Sequence, residues 1–470
     1  MIELSRKLVR RVHAVLRRAF RKPYQVAPVI ELISARHGLT IRARHTEVAI
    51  EYHQAGSFTQ ANLVVSMEIL AAVAGGDETQ ITLRPGAVGQ VVATWTDGDV
   101  PQVTAFAVPE GKTLPAFPEL PERWTPNPSA LLSAVDEASR TAATDSVRFA
   151  LQRIQLNGKS GKVVDTDSKQ LFIAGGFDFG FQDDVLIPRF GAFNQIELSE
   201  ANLVEVGCTD THVAFRCGAW TFALLVDTVG RYPDVESVIP RRSSNVATCR
   251  FDTDDAAFLS RALPRLPGKE SPKPITLELN GRVVLRSRAG DQPQTTEVVL
   301  ARSACDGPQS RVNLNRDHLH RALSLGFREL TIVDPDRPLI FRDQRRTFVT
   351  MPLTAKDALG PSLDALQIDS ANMPSTTSKP KPEKHMATPS TNGLGHEEAP
   401  RRQRTQPVNK SNGRVSLAKL IVDAQRLKES AREMFRKANG LIGALKGHRK
   451  QARLTASTLR SLKQLHVIDA

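Results

Sequence analysis

A unit of about 120–125 residues recurs three times in this 470-residue chain and then stops, and that repetition limits what the chain can fold into. The clearest copies begin near Leu63, Val185 and Arg311. They read LVVSMEILAAVAGGDETQITLRPGAVGQVVATW, VLIPRFGAFNQIELSEANLVEVGCTDTHVAFRCGAWTFALLV and RVNLNRDHLHRALSLGFRELTIVDPDRPLIFRDQRRTFVTMPL. Each opens with a short apolar strand, continues as a helix-like stretch and ends in two apolar strands. A repeat this long is a whole domain, not a solenoid unit of roughly 20–50 residues. No active-site motif recurs with it, so the function expected is one that lies in geometry.

The front half of each unit agrees. Helix patterns run over 4–20, 130–138 and 255–263; in the first, Leu4, Leu8, Val12, Val15 and Leu16 fall at helical spacing. Strand-like runs follow at 39–52, at 149–156 with 162–173, and at 275–287. Phe117-Pro118-Glu119-Leu120 and Tyr232-Pro233-Asp234-Val235 close the first two units, and proline after an aromatic favours an extended connector there. The fold class expected is α+β: domains at 1–124, 125–243 and 244–355, a disordered linker at 356–413 and a basic helical tail at 414–470.

Charge divides the chain in the same way. Of 63 Lys and Arg, 17 lie in residues 401–470 against 4 of the 50 Asp and Glu; that difference equals the whole net charge of +13. The preceding 400 residues therefore balance, and the polyanionic partner implied by the excess belongs to the tail. One basic run occurs in the body, on and just after the first helix, where Arg10, Arg17 and Arg21 share a side with Lys22 beside them. It reads either as a solvated face or as a surface for phosphates. No run of about 18 apolar residues occurs, so no transmembrane helix is expected. No apolar signal segment follows the basic N-terminus, and Cys208, Cys217, Cys249 and Cys305 contain no CxxC pair. They read as reduced thiols of a cytoplasmic protein, with a Cys208–Cys217 bridge as the alternative.

Catalytic motifs fail one by one. Gly158-Lys159-Ser160 lacks the upstream glycine of a phosphate-binding loop, since Arg153 stands there, and it sits between two strand runs as a turn. Ser416-Leu417-Ala418-Lys419 has the SxxK form without its companion motifs. Asp165 and Asp167 flank Thr166 as a metal-holding pair would, but turn carboxylates are the simpler reading. No nucleophile–base–orienter set is found, so neither an enzyme nor a cofactor is expected.

The stretches Val147-Arg148-Phe149-Ala150-Leu151, Val164 through Leu171, and Gly230-Arg231-Tyr232-Pro233-Asp234-Val235 to Pro240 resemble the middle domain of the bacterial β sliding clamp, the processivity subunit of DNA polymerase III. Phe348-Val349-Thr350-Met351-Pro352-Leu353 resembles the family's Met-Pro-Met ending. The likeness spans about residues 1–355. It implies three domains, each with two helices on antiparallel sheets, and a head-to-tail homodimeric ring around double-stranded DNA. It implies further that polymerase, clamp loader and repair proteins dock by short peptides. Leu151, Thr166, Leu171, Pro240, Val349, Met351, Pro352 and Leu353 match the family's peptide groove; Arg148 and Phe149 match its DNA-facing positions. A diverged clamp-like module serving repair partners is the alternative, because the family's Gly-His-Arg after Thr166-Asp167 is here Ser168-Lys169-Gln170 and the chain continues beyond Leu353. That continuation is rich in Pro, Ser and Thr. It then shows a heptad rhythm through Leu417, Leu420, Ala424, Leu427, Ala431, Met434, Ala438, Leu441 and Leu445, and a second helical stretch over 449–465.

Overall fold

In the computed structural model, residues 1–372 are described except 21–27, 109–115, 143–148, 195–202, 242–244, 269 and 291. Arg21, Lys22, Arg148, the second helical stretch expected in the middle unit, most of the linker and the whole basic tail lie outside the described residues.

Five helices are described: α1 (Arg6–Ala19), α2 (Met67–Val73), α3 (Ala130–Thr141), α4 (Thr253–Ala262) and α5 (Arg316–Ser324). Four start on side-chain caps that satisfy orphan amides: Ser5, Ser66, Asp252 and Asn315 accept from Leu8, Ile69, Asp254 and Asp317. The first helix begins two residues later than its apolar spacing suggests. Ile2–Ser5 is a strand, and Leu4 is buried from it rather than from a helix. On α1 the buried stripe is Leu8, Val9, Val12, Val15, Leu16 and Ala19.

The long strand runs expected from sequence resolve into hairpins. Residues 39–52 become Gly38–Arg44 and Val48–Ala55; 162–173 become Lys162–Thr166 and Gln170–Ala174; 275–287 become Pro274–Leu279 and Val283–Ser287. Phe149 opens a short 3₁₀ turn, Phe149–Gln152, and the strand begins only at Arg153. The Asn157–Ser160 segment is the hairpin turn expected, closed by Asn157 Oδ1 accepting from Ser160 N at 2.9 Å.

Each repeat builds two half-sheets, and neighbouring repeats fuse them. The outer strand Val48–Ala55 of the first repeat pairs antiparallel with Trp220–Leu225 of the second, giving one eight-stranded sheet. In the same way Gln170–Ala174 of the second pairs antiparallel with Arg346–Thr350 of the third, giving a nine-stranded sheet. The two remaining half-sheets stand alone. A four-stranded sheet in the first repeat ends at the strand Val100–Ala107, and a sheet in the third contains Thr296–Leu300. A large apolar core runs beneath these sheets, with contributions from all three repeats.

The linker expected from residue 356 is corrected here. Leu366–Asp369 adds a fifth, parallel strand beside Thr296–Leu300, followed by a short 3₁₀ turn at Ser370–Asn372. Sequence composition missed it because a four-residue strand whose side chains are mostly exposed carries no alternation to read. All four cysteines are free thiols.

Candidate functional site

Four of the groove residues expected from sequence, Thr166, Leu171, Val349 and Met351, lie together along the seam between the second and third repeats. Leu171 and Val349 are register partners across it, and Thr166 is the partner of Leu171 on the other side. Met351 joins them because its amide donates to Lys169 O at 2.9 Å. Leu171 and Val349 are each 3% exposed, whereas Met351 is 43% exposed. The first two are thus the floor of the seam, and Met351 is its exposed side chain. A small apolar cluster of Val164, Leu171, Ile173, Val235, Ile340 and Val349 forms that floor, with Tyr232 and Ile239 packed over it. Pro240 stands at the opposite end of the same strands, lining a shallow depression of about 470 Å³ with Ile173, Ile239 and Thr347.

The remaining expected residues are placed less centrally. Leu151 is buried in the 3₁₀ turn ahead of the strand Arg153–Asn157. Pro352 and Leu353 are half-buried, and Leu353 is drawn onto the third repeat by its amide bonding Asn313 O at 2.7 Å.

The Asp167–Gln170 loop bordering Met351 is held by its own side chains. Asp167 Oδ1 accepts from Lys169 N at 2.8 Å and Gln170 N at 2.7 Å, and Thr166 Oγ1 accepts from Ser168 N at 3.1 Å. Ser168 has φ of 76°, in the left-handed region that glycine adopts freely. Serine adopts that region at a cost, and the hydrogen bond from its amide to Thr166 Oγ1 holds it there. Both carboxylate oxygens of Asp167 are engaged within this turn, since Gln170 Nε2 donates to Oδ2 at 3.0 Å. Asp165 is fully buried; Tyr232 Oη donates to its Oδ1 at 3.4 Å, and its other oxygen has no hydrogen-bond partner among the described residues. Burial pushes its carboxyl well above the usual carboxylate range. The pair is a turn carboxylate and a buried one.

Sequence reading missed what the third repeat's helix α5 brings to the seam. His318, 8% exposed, shares a 2.6 Å hydrogen bond with Thr350 Oγ1 next to Met351. Its imidazole is shifted below its usual value, first because burial disfavours the cation. Arg321 crosses to the end of α3, donating to Arg140 O at 3.0 Å, Glu137 O at 2.7 Å and Thr141 Oγ1 at 2.6 Å. A cation on terminal helix carbonyls satisfies groups that the helix leaves open. Nothing local in the sequence around 318–321 announces a partner some 180 residues away.

On α1 the basic residues divide by burial. Arg6 is 7% exposed and structural, bonded to Thr96 O at 2.9 Å and paired with Asp97 at 3.0 Å. Arg18 ties the helix to the second repeat through Gly191 O at 2.9 Å. Arg10 and Arg17 are exposed and form no ion pair among the described residues. They remain available to an anion.

No protein-family model matches the chain, and no curated protein matches it either. Solved structures do. The chain is similar to the DNA polymerase III subunit beta from Pseudomonas aeruginosa at 18% identity, with a TM-score of 0.62 over 75% of this chain and 99% of that one. It is similar to a DnaN sliding clamp from Bartonella birtlesii, solved bound to griselimycin, at 16% identity and a TM-score of 0.63 over the same shares. A DNA polymerase III beta chain from Streptococcus pneumoniae matches at 17% identity and a TM-score of 0.60. The fold is that of the bacterial β sliding clamps, complete in its first three quarters and extended by a segment that those chains do not share.

Proposed function

We propose that this chain is a processivity clamp: two copies join head to tail around double-stranded DNA, and the seam at Met351 receives short apolar peptides of a polymerase and of other DNA-handling proteins. The observation that carries this reading is the repeated edge-to-edge pairing. Two of three equivalent outer edges are joined to the next repeat by antiparallel ladders, Val48–Ala55 with Trp220–Leu225 and Gln170–Ala174 with Arg346–Thr350. The same operation carried on would bring Thr296–Leu300 of one copy to Val100–Ala107 of another. A ring holds DNA by topology, so contacts to phosphates can stay weak and salt-sensitive. A body without net charge, bearing exposed Arg10 and Arg17, is suited to that. The basic tail then acts as a tethered second contact to the same duplex.

Retention on DNA tests the reading. With a clamp loader present, protein on closed circular DNA should survive a high-salt wash and leave when the circle is cut. Equal salt sensitivity on circular and linear DNA would rule the ring out. The second reading, a clamp-like module for repair partners, is favoured by the Ser168-Lys169-Gln170 loop at the mouth of the seam. Binding of repair-protein peptides together with indifference to polymerase-derived peptides would select it.

A further inference from the structure

The edge that a second copy needs is already occupied. After Leu353 the chain crosses one face of the third repeat's lone sheet. Leu353 N donates to Asn313 O at 2.7 Å, Leu359 N to Thr276 Oγ1 at 2.8 Å, and Leu366 N to Thr295 O at 2.8 Å. It then runs as Leu366–Asp369 parallel to Thr296–Leu300, in register from Thr296↔Leu366 to Val299↔Asp369. Ser370 fastens its end, its Oγ accepting from Ala301 N at 2.9 Å and its carbonyl from Arg302 Nη1 at 3.2 Å.

We infer that this strap, residues 354–372, caps the ring-closing edge in competition with a second copy of the chain, so that closure proceeds by exchange of Leu366–Asp369 for the partner strand Val100–Ala107. The inference rests on the ring reading above. One edge of a strand can pair with only one neighbour, because its outward amides and carbonyls are used once. The two seam ladders are antiparallel whereas the strap is parallel, so it blocks the edge without reproducing the seam.

The strap is also lightly held. Leu366 is 56% exposed, Gln367 and Asp369 are exposed, and only Ile368 packs partly on the core. A cavity of about 690 Å³ lies under Asp357 and Leu359, against Pro274, Ile275 and Thr276. The seam ladders, by contrast, are closed by buried aromatics: Trp220 beside Tyr52 in one, Phe172 beside Phe348 in the other. Among the described residues the competing strand, Val100–Ala107, pairs on one side only, and it presents Val100 and Val103 at 56% and 65% exposure. An uncovered edge of this kind invites pairing with another chain.

The test uses the full chain in sedimentation over a dilution series, with hydrogen exchange of the amides in 296–300 and 366–369. The wild-type chain should show the mass of one chain where Ile368→Pro shows two, the dissociation constant falling by about tenfold or more, since proline removes a ladder donor. Ser370→Ala, which removes only the clasp hydroxyl, should move it in the same direction and covers the case in which the proline variant misfolds. Adding Val103→Lys should return the released variant to one chain, because edge charge opposes pairing. Two-chain assemblies that form equally in wild type and variants, with 366–369 still protected, would overturn the strap and leave the ring standing. One-chain masses throughout, in variants that melt as folded proteins, would remove both.

Discussion

The two seams share a backbone plan and differ in what covers them. At the first, Tyr52 and Trp220 meet edge-on at 4.9 Å across the ladder. The connector over that sheet is fixed by cations on rings, Arg42 on Phe117 at 4.9 Å and Arg216 on Trp124 at 3.9 Å. At the second, the connector contributes Tyr232, Val235 and Ile239 to an aliphatic floor that ends at the exposed Met351. Repetition supplies equivalent strands; side chains then make one seam a filled joint and the other a joint with an adaptable apolar end. Methionine suits that role because its flexible, polarizable side chain accommodates varied partners.

The comparison breaks most visibly in the cores of the ladders. Phe172→Ala and Trp220→Ala each remove a ring buried at a seam, and each should cost about 3–5 kcal/mol in urea unfolding. If only one of them does, the two seams are not equivalent supports. Arg321→Ala should cost roughly 1–3 kcal/mol, because it strips partners from carbonyls at the end of α3. A thermal melt unchanged by that substitution would show the crossing arginine to be idle.

Function should separate from stability at the second seam. Met351→Ala, at a 43% exposed side chain, should leave unfolding within about 0.5 kcal/mol of wild type and weaken polymerase-peptide binding by about tenfold. Leu171→Ala should weaken binding and also destabilise by about 2–5 kcal/mol, since its side chain is floor and not surface. Unchanged peptide affinity in Met351→Ala would move the groove elsewhere. The smallest effect concerns pH. Burial lowers the proton affinity of His318 from the ordinary 6.5, so its contribution is complete above pH 6.5 and is lost as pH falls toward the lower folded value. His318→Gln should flatten stability against pH in that window, and a slope identical to wild type would exclude this histidine as its source.

Much of the site was legible one residue at a time and little of it as a site. Thr166, Leu171, Val349 and Met351 lie together at the seam, and Ser168 beside them takes a left-handed backbone that no local sequence signal announces. The parts that hold the seam, His318 and Arg321, come from a helix whose own sequence reads as an ordinary amphipathic turn. Leu4 was misplaced for a related reason: helical spacing continues into a strand when both elements bury the same core. Among the described residues no helix is long and apolar enough to cross a membrane.

The sequence by itself determined the period of the repeat, its alternation of helices and strands, and the separation of a charge-balanced body from a basic tail. These follow from near-neighbour physics: apolar spacing, caps such as Ser5 and Asn315, turns such as Asn157–Ser160, and counted charge. Only the tertiary structure decided which edges meet. The pairing of residue 52 with 220, of 171 with 349 and of 298 with 368 joins segments about 70 to 180 positions apart. A backbone edge offers the same amides and carbonyls to any strand. Its partner is chosen by what the rest of the fold delivers there.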